Sequence, residues 1–383
     1  MTSPPPELAP VLTDGVVTLR AHAHHDVEAV LEQCTDPEMQ RWTTAPSGYT
    51  RAHALGYVDR AAAAWADPAG LRQWAIEWSE AGRLRFAGSI DLRPGVAPEV
   101  ASIGFGLHPA ARGAGVMSRA VRLVASHAFE TGPWGRPLSR LHWAAVVGNW
   151  DSRRVAWATG FTFHGMLPGT HPNTVDPDGP ALDTWHASLS RGDDLSPRTP
   201  WLEPAPLVGK GIRLRPWREA DVDAIEEGHD PRHWFPAHAA LRTDTFPAWL
   251  ERRKELMATG TAIEWCIADG ESDLALGSAV LFSRQGPLTG DVAELGYQLF
   301  PHARGRGVAK EAARTAIDHA LAPKDAGGLG LRRLVAETAA DNLASNRVLE
   351  ANGFRVWGRE RLVDELEDGT YADALHWELL PSR

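Results

Sequence analysis

The feature that most constrains this chain is that it says the same thing twice. "GVVTLRAHAHHDVEAV" from Gly15 resembles "GKGIRLRPWREADVDAI" from Gly209. "RQWAIEW" from Arg72 resembles "AIEWCIAD" from Ala262, with Trp74 opposite Trp265. "FAGSIDL" from Phe86 resembles "LALGSAVLF" from Leu274. "RGAGVM" at Arg112–Met117 returns as "RGRGVA" at Arg304–Ala309, and "VVGNWDSRRVAWATGF" from Val146 as "AADNLASNRVLEANGF" from Ala339. Five blocks recur in one order at offsets between 189 and 195. A solenoid repeats more often and at a shorter period, so two copies of one domain are the reading. At 383 residues the chain has room for both.

The boundaries follow from composition. Residues 1–10 ("MTSPPPELAP") are expected to be disordered and lack the regions of a signal peptide. The first domain spans 11–191 and the second 209–383. Residues 192–208, within a stretch rich in Pro, Gly and charge, form the linker, though Trp201 and Leu202 suggest that part of it packs onto a domain. A net charge of -10 argues against a nucleic-acid partner. Two cysteines, Cys34 and Cys266, provide no disulfide framework and fit a reducing compartment. No apolar run reaches the ~20 residues that span a bilayer. A cytoplasmic protein without a membrane partner is expected.

Each copy reads as strand, helices, strands, glycine turn, helix, strand, short helix, strands. Val116, Ala120, Val124 and Ala128 make a stripe on the helix after the first turn, and Val308, Ala312, Ala316 and Ala320 on its counterpart. The short helices end at Gly160 and Gly353, where a left-handed residue is wanted. Alternation of strand and helix gives an α/β fold with a mixed sheet flanked by helices.

The glycine turns can cradle phosphate. A strand running through such a turn into a helix aims free backbone N–H groups at one point, and the helix dipole adds partial positive charge. Glycines let the backbone approach an anion closely, and Arg112 and Arg304 add charge at the mouth. Neither turn has the third glycine of the dinucleotide fingerprint or the Gly-Lys-Ser/Thr of the Walker loop. "HAHHD" at His22 reads as a solvated loop, with no matching cluster for a metal, and Cys266 as a buried thiol.

The order strand, Pro, "RxxGxG/A", helix, strand, Asn, short helix, "GF" resembles the GCN5-related N-acetyltransferase (GNAT) family in both halves. "ELGY" before the loop and Asn-x-x-Ser after it resemble the branch that acetylates ribosomal-protein N-termini. The resemblance implies two tandem domains, each with a partly splayed sheet, and acetyl-CoA as co-substrate without a metal. It places the diphosphate on Arg304, Gly305, Arg306, Gly307, Val308 and Ala309, and in the first half on Arg112, Gly113, Ala114, Gly115, Val116 and Met117, where Met117 departs from the small last residue of the pattern. Leu107, Leu299 and Phe300 at the strand ends, with Asn149, Asn342 and Asn346, would complete the cofactor contacts.

For chemistry, the resemblance points to Glu294 as base or amine-orienting group, unless it is a structural strand-end carboxylate. Ser152 and Ser345 would bond the CoA sulfur, or serve as helix N-terminal residues. Ser102 replaces Glu294 in the first half, and Asp91 or Glu99 could substitute for it. Glu77 and Glu264 could line the acceptor side. A tyrosine acid seven residues after the Asn is excluded by Ala156 and Leu349. The implied activity is direct acetyl transfer to a primary amine, on a peptide or protein N-terminus or a small molecule, with the second half the better candidate for activity. The alternatives are a non-catalytic acetyl-CoA-binding regulator and a transferase for another acyl-CoA. The chain would act as a monomer of two pseudo-twofold halves or as a homodimer.

Overall fold

The computed structural model describes residues 9–80, 82–226, 241–283, 287–288, 292–365 and 369–381. The chain divides into two compact units, Met1–Arg198 and Thr199–Arg383.

The first unit contains β1 (Leu12–Thr13), β2 (Val17–Arg20), α1 (Val27–Thr35), α2 (Pro37–Trp42), α3 (Arg51–Ala63), β3 (Arg72–Glu80), β4 (Arg83–Pro94), β5 (Val100–Leu107), α4 (Val116–Glu130), β6 (Arg140–Val146), α5 (Trp150–Ala158), β7 (Thr162–His171) and β8 (Leu182–Ser190). Its sheet runs β1-β2-β3-β4-β5-β6-β8-β7. All neighbours are antiparallel except β5 and β6. That one parallel pair is forced by the crossover through α4, which a hairpin cannot make.

The second unit contains β9 (Leu207–Gly209), β10 (Ile212–Arg215), α6 (Phe246–Ala258), β11 (Ala262–Asp269), β12 (Ala275–Phe282), β13 (Val292–Leu299), α7 (Val308–Leu321), β14 (Arg333–Ala339), α8 (Leu343–Ala351), β15 (Arg355–Glu365) and β16 (Tyr371–Leu379). The strand order is the same, β9-β10-β11-β12-β13-β14-β16-β15, again with one parallel pair, β13 with β14.

The repeated sequence blocks make repeated contacts. Trp74 and Trp265 are wholly buried, and their indole N–H groups donate to chain that precedes each sheet, Pro10 O at 3.0 Å and Ala205 O at 2.9 Å. Arg20 grips Asp26 with two bonds of 2.8 and 2.7 Å, as Arg215 grips Asp221. The predicted stripes on α4 and α7 are buried throughout.

The ends differ from the compositional reading. Residues 1–8 of the expected disordered tail lie outside the described residues, but Ala9 is buried and Pro10 is bonded to Trp74. The expected linker is largely attached to its neighbours. Leu195 O accepts from Arg122, and Leu202 packs on the second core with its N–H on Met257 O. Residues 207–208 already belong to β9.

Candidate active site

Each site begins where a strand leaves the sheet for a helix. β5 exits through a 3-10 turn at Pro109–Ala111 and β13 through one at Pro301–Ala303. The following turns place Gly113 and Gly115 at φ +75° and +71°, and Gly305 and Gly307 at +71° and +79°. This left-handed conformation opposes a side chain. A Cβ would meet nothing within 4 Å at any of the four, so the backbone conformation, not crowding, requires glycine, and the loop surface stands open. No side chain caps α4 or α7. Their first-turn amides, at Val116, Met117 and Ser118 and at Val308, Ala309 and Lys310, have no intrahelical acceptor and add to the dipole's positive end. Val116, Met117 and Val308 bury their side chains, so they offer a ligand only backbone. A diphosphate fits this cradle.

The two loop arginines are held differently. Arg112 bonds Asp36, the N-cap of α2, and that contact keeps the Asp36 carboxyl below its usual range. Arg304 donates from Nε to Leu299 O at 3.2 Å. Ala114 and Arg306 are exposed. Beside the first loop lies a groove of about 560 Å³, lined in part by Ala114, Gly115, Ser118, Arg119 and Arg122.

Next to each loop the sheet opens. β5 and β6 pair over three rungs only, ending at Ser102 beside His142. Beyond them, Ile103–Leu107 stays with β4 while Trp143–Val146 stays with β8. In the second unit the parallel pair ends at Glu294 beside Val335, after which Leu295–Leu299 follows β12 and Ala336–Ala339 follows β16. The result is a wedge with backbone edges that have no ladder partner across it, closed at its tip by the 102 or 294 rung. Leu107 and Leu299 end the edge nearest the loop, and Phe300 is buried just past it.

The far side of the wedge is set by helix caps. Asn149 and Asn342 each accept a 3.1 Å bond from the N–H three residues on, at Ser152 and Ser345. Asn346 is buried, accepting from the Thr338 hydroxyl at 2.7 Å and donating to Ala340 O at 3.1 Å, which ties α8 to the end of β14. The Ser152 hydroxyl accepts from Trp143 Nε1 at 3.2 Å, so its own hydrogen stays available to donate. The motif reading overlooked Tyr297, on the β13 edge of the second wedge. Its hydroxyl donates to Ser345 O at 3.2 Å, and burial pushes it up to about 12. Phe105 takes this place in the first unit, and only the register shows that residue 297 reaches α8.

The carboxylates sit in distinct surroundings. Glu294 is half-buried on the face away from α7. Glu264 is buried on β11, its Oε2 lying 2.9 Å from Arg253 Nε and its other oxygen accepting from Ser278. Burial pushes its carboxyl up while Arg253 pulls it down. Its counterpart beside the matching tryptophan is Gln73, not Glu77, which pairs with Arg20 at 2.8 Å. Asp91 lies on β4 opposite Gly104, whereas Glu99 precedes β5. His22 is buried rather than solvated, and no metal-binding group of His, Cys, Asp and Glu occurs among the described residues. Both cysteines are buried and free, and burial pushes the Cys266 thiol up. Among the described residues no helix is long and apolar enough to cross a membrane.

The model of the acetyltransferase (GNAT) domain matches residues 17–162 and again 212–355. Among solved structures, the chain is similar to the ribosomal-protein-S5-alanine acetyltransferase from Vibrio fischeri, at 20% identity and a TM-score of 0.39 over 46% of this chain and 96% of that one. It is also similar to the microcin C7 self-immunity acetyltransferase MccE in complex with acetyl-CoA and AMP, at 17% identity and a TM-score of 0.40, covering 46% of this chain and 93% of that one. A third is RimL, a ribosomal L7/L12 α-N-protein acetyltransferase in complex with coenzyme A, at 18% identity and a TM-score of 0.39, covering 46% of this chain and 98% of that one. With the domain model matched twice over more than half its length, the chain belongs to the GNAT acetyltransferase family and carries two such domains in tandem.

Proposed function

We propose that the protein is an acetyl-CoA-dependent N-acetyltransferase acting on a primary amine of a peptide or protein N-terminus or a small molecule, and that the second unit is the stronger catalyst. The observation that carries this reading is the placement of Glu294 on the last paired rung of a wedge whose other end is an open, uncapped glycine loop. The domains are taken as 11–191 and 209–383 widened to include the chain that packs on them, Ala9 and Pro10 on the first and residues 207–208 on the second, and the buried free thiols suit a cytoplasmic setting.

Acetyl-CoA, when bound, supplies the acyl group as a thioester. The loop amides of 305–309 would hold its diphosphate, with Arg304 and Arg306 at the mouth, and the equivalent residues 112–117 would serve the first unit. The open edges of β13 and β14 would pair with the amides of the pantetheine arm. Glu294 would orient the acceptor and take the proton an ammonium must lose before its nitrogen can attack. Ser345 Oγ, at the N-terminal end of α8, is the donor available to the leaving sulfur, and Ser152 has this place in the first unit.

The test is thiol release from acetyl-CoA with a panel of Ala-, Ser- and Met-led tetrapeptides and spermidine. Both cysteines are buried, which keeps the thiol background low. Glu294→Gln is expected to slow the second unit by about 10²-fold or more, and Ser345→Ala by about tenfold. Rates untouched by both changes would refute these roles.

A further inference from the structure

The first unit lacks a carboxylate at position 102, yet its sheet holds one on the adjoining strand. Ser102 faces Arg93 across β4, and two residues on, Gly104 faces Asp91. Residues two apart share a sheet face, so Asp91 stands on the Ser102 face, diagonally two rungs nearer the glycine loop. In the second unit the same two rungs pair Glu294 with Phe282 and Gly296 with Val280. The negative charge has therefore moved from one strand to its neighbour between the two copies.

Three observations bear on the place around Asp91. First, Asp91 is only 8% exposed, and its Oδ1 makes no hydrogen bond. Arg93 Nε lies 2.9 Å from that oxygen, but as an ion contact without hydrogen-bond direction, while Arg93 Nη2 donates a long 3.2 Å bond to Oδ2. The Arg93 side chain is itself 62% exposed. An exposed guanidinium over a buried carboxylate is a displaceable occupant. Second, the β5 backbone facing it carries no side chains, at Gly104 and Gly106. A Cβ at Gly104 would lie 3.0 Å from Asp91 Oδ2, and one at Gly106 would strike Met39 of α2 and come within 3.1 Å of Gln33 Nε2. Third, the strands beneath α3 are polar. Ser89 and Gln73 are buried, and the Gln73 amide donates to the Tyr57 hydroxyl. In the second unit, Gln73 is replaced by Glu264, which pairs with the half-buried Arg253.

We infer that Asp91 is the residue of the first unit that receives the ammonium group of the acceptor, in the place now held by the Arg93 guanidinium. This rests on the reading of the wedge as an acetyl-transfer site. The two units then recognise their amines from different strands, Glu294 on β13 and Asp91 on β4, and select different acceptors. Burial also pushes the Asp91 carboxyl up, against the pull of Arg93, as expected of a buried charge whose partner is largely in solvent.

The experiment uses the full chain carrying Gly307→Tyr, which leaves the first loop intact, with acetyl-CoA and the same amine panel. On this background Asp91→Asn is expected to raise KM for the amine at least ~30-fold with a much smaller change in kcat and unchanged acetyl-CoA affinity, the size of effect seen when one partner of a buried charge pair is removed. Asp91→Glu is expected to recover part of the loss, and Arg93→Ala to lower KM. An unchanged KM in Asp91→Asn, or a loss caused by His142→Ala in its place, overturns the inference. Turnover that disappears with Gly307→Tyr but survives Gly115→Tyr also overturns it and leaves the proposed function standing. No turnover in any form, wild type included, overturns the proposed function and the inference with it.

Discussion

Glu294 and Ser102 stand on the same rung of two equivalent sheets, each the last parallel pair before the strands part, with Val335 beside one and His142 beside the other. The two copies thus differ at this rung while the loops and wedges around it are retained. Replacing Glu294 by Ser makes the second unit like the first at this point. The expected outcome is a fall in its kcat of about 10² or more with acetyl-CoA affinity preserved, checked by steady-state kinetics on the Gly115→Tyr background.

Gly307 tests the loop conformation separately from its charge. At φ +79° an alanine costs about 1–2 kcal/mol although nothing lies within 4 Å of its Cβ. Gly307→Ala is therefore expected to weaken acetyl-CoA binding through altered backbone and to lower stability by that amount, as read from urea unfolding. Equal stability and affinity in the variant would show that the turn does not depend on this conformation.

His22 makes the first unit sensitive to acid. Burial holds its imidazole down to about 4, with Asp26 opposing and Arg20 reinforcing, against an ordinary value of 6.5. The folded form thus refuses a proton that the unfolded chain accepts. Stability is lost as pH falls from 6.5 toward 4, by roughly 3 kcal/mol in total from this group. His22→Leu is expected to flatten the dependence of unfolding free energy on pH across that window. An unchanged slope would remove His22 from the account.

Asp91 works in the opposite direction. Its carboxyl is raised in the folded state, so the fold holds that proton to higher pH than the unfolded chain does, and stability falls as pH rises above the usual carboxylate range. Asp91→Asn is expected to melt higher than wild type at about pH 8, with the gap closing as the pH drops to where both states are protonated. Arg93, left without its partner, is mostly in solvent and loses little. A variant that melts lower under those alkaline conditions would make Asp91 a structural rather than a ligand-binding charge.

Much of this was legible in the sequence. The repeats at Trp74 and Trp265, the stripes on α4 and α7 and the glycine turns each rest on local pattern, and local pattern carries through to the fold. Ser152 and Ser345 were legible as helix N-terminal residues, but the capping side chains are those of Asn149 and Asn342, which accept from the serine N–H groups. What escaped was cross-strand register. Glu77 was expected, like Glu264, to line the acceptor side, but it pairs with Arg20. Tyr297 reads as one more aromatic of a strand until β13 leaves β14 and carries its hydroxyl to α8. The "HAHHD" segment looked solvated because His and Asp dominate it, yet its first histidine points into the core while Asp26 is gripped by Arg20 from the preceding strand.

The central claim is that both glycine loops hold acetyl-CoA, and calorimetric titration of the intact protein tests it most directly. The account predicts two equivalents bound, one lost with Gly115→Tyr and the other with Gly307→Tyr. Absence of binding to the wild-type protein, or binding that survives both substitutions together, would contradict it.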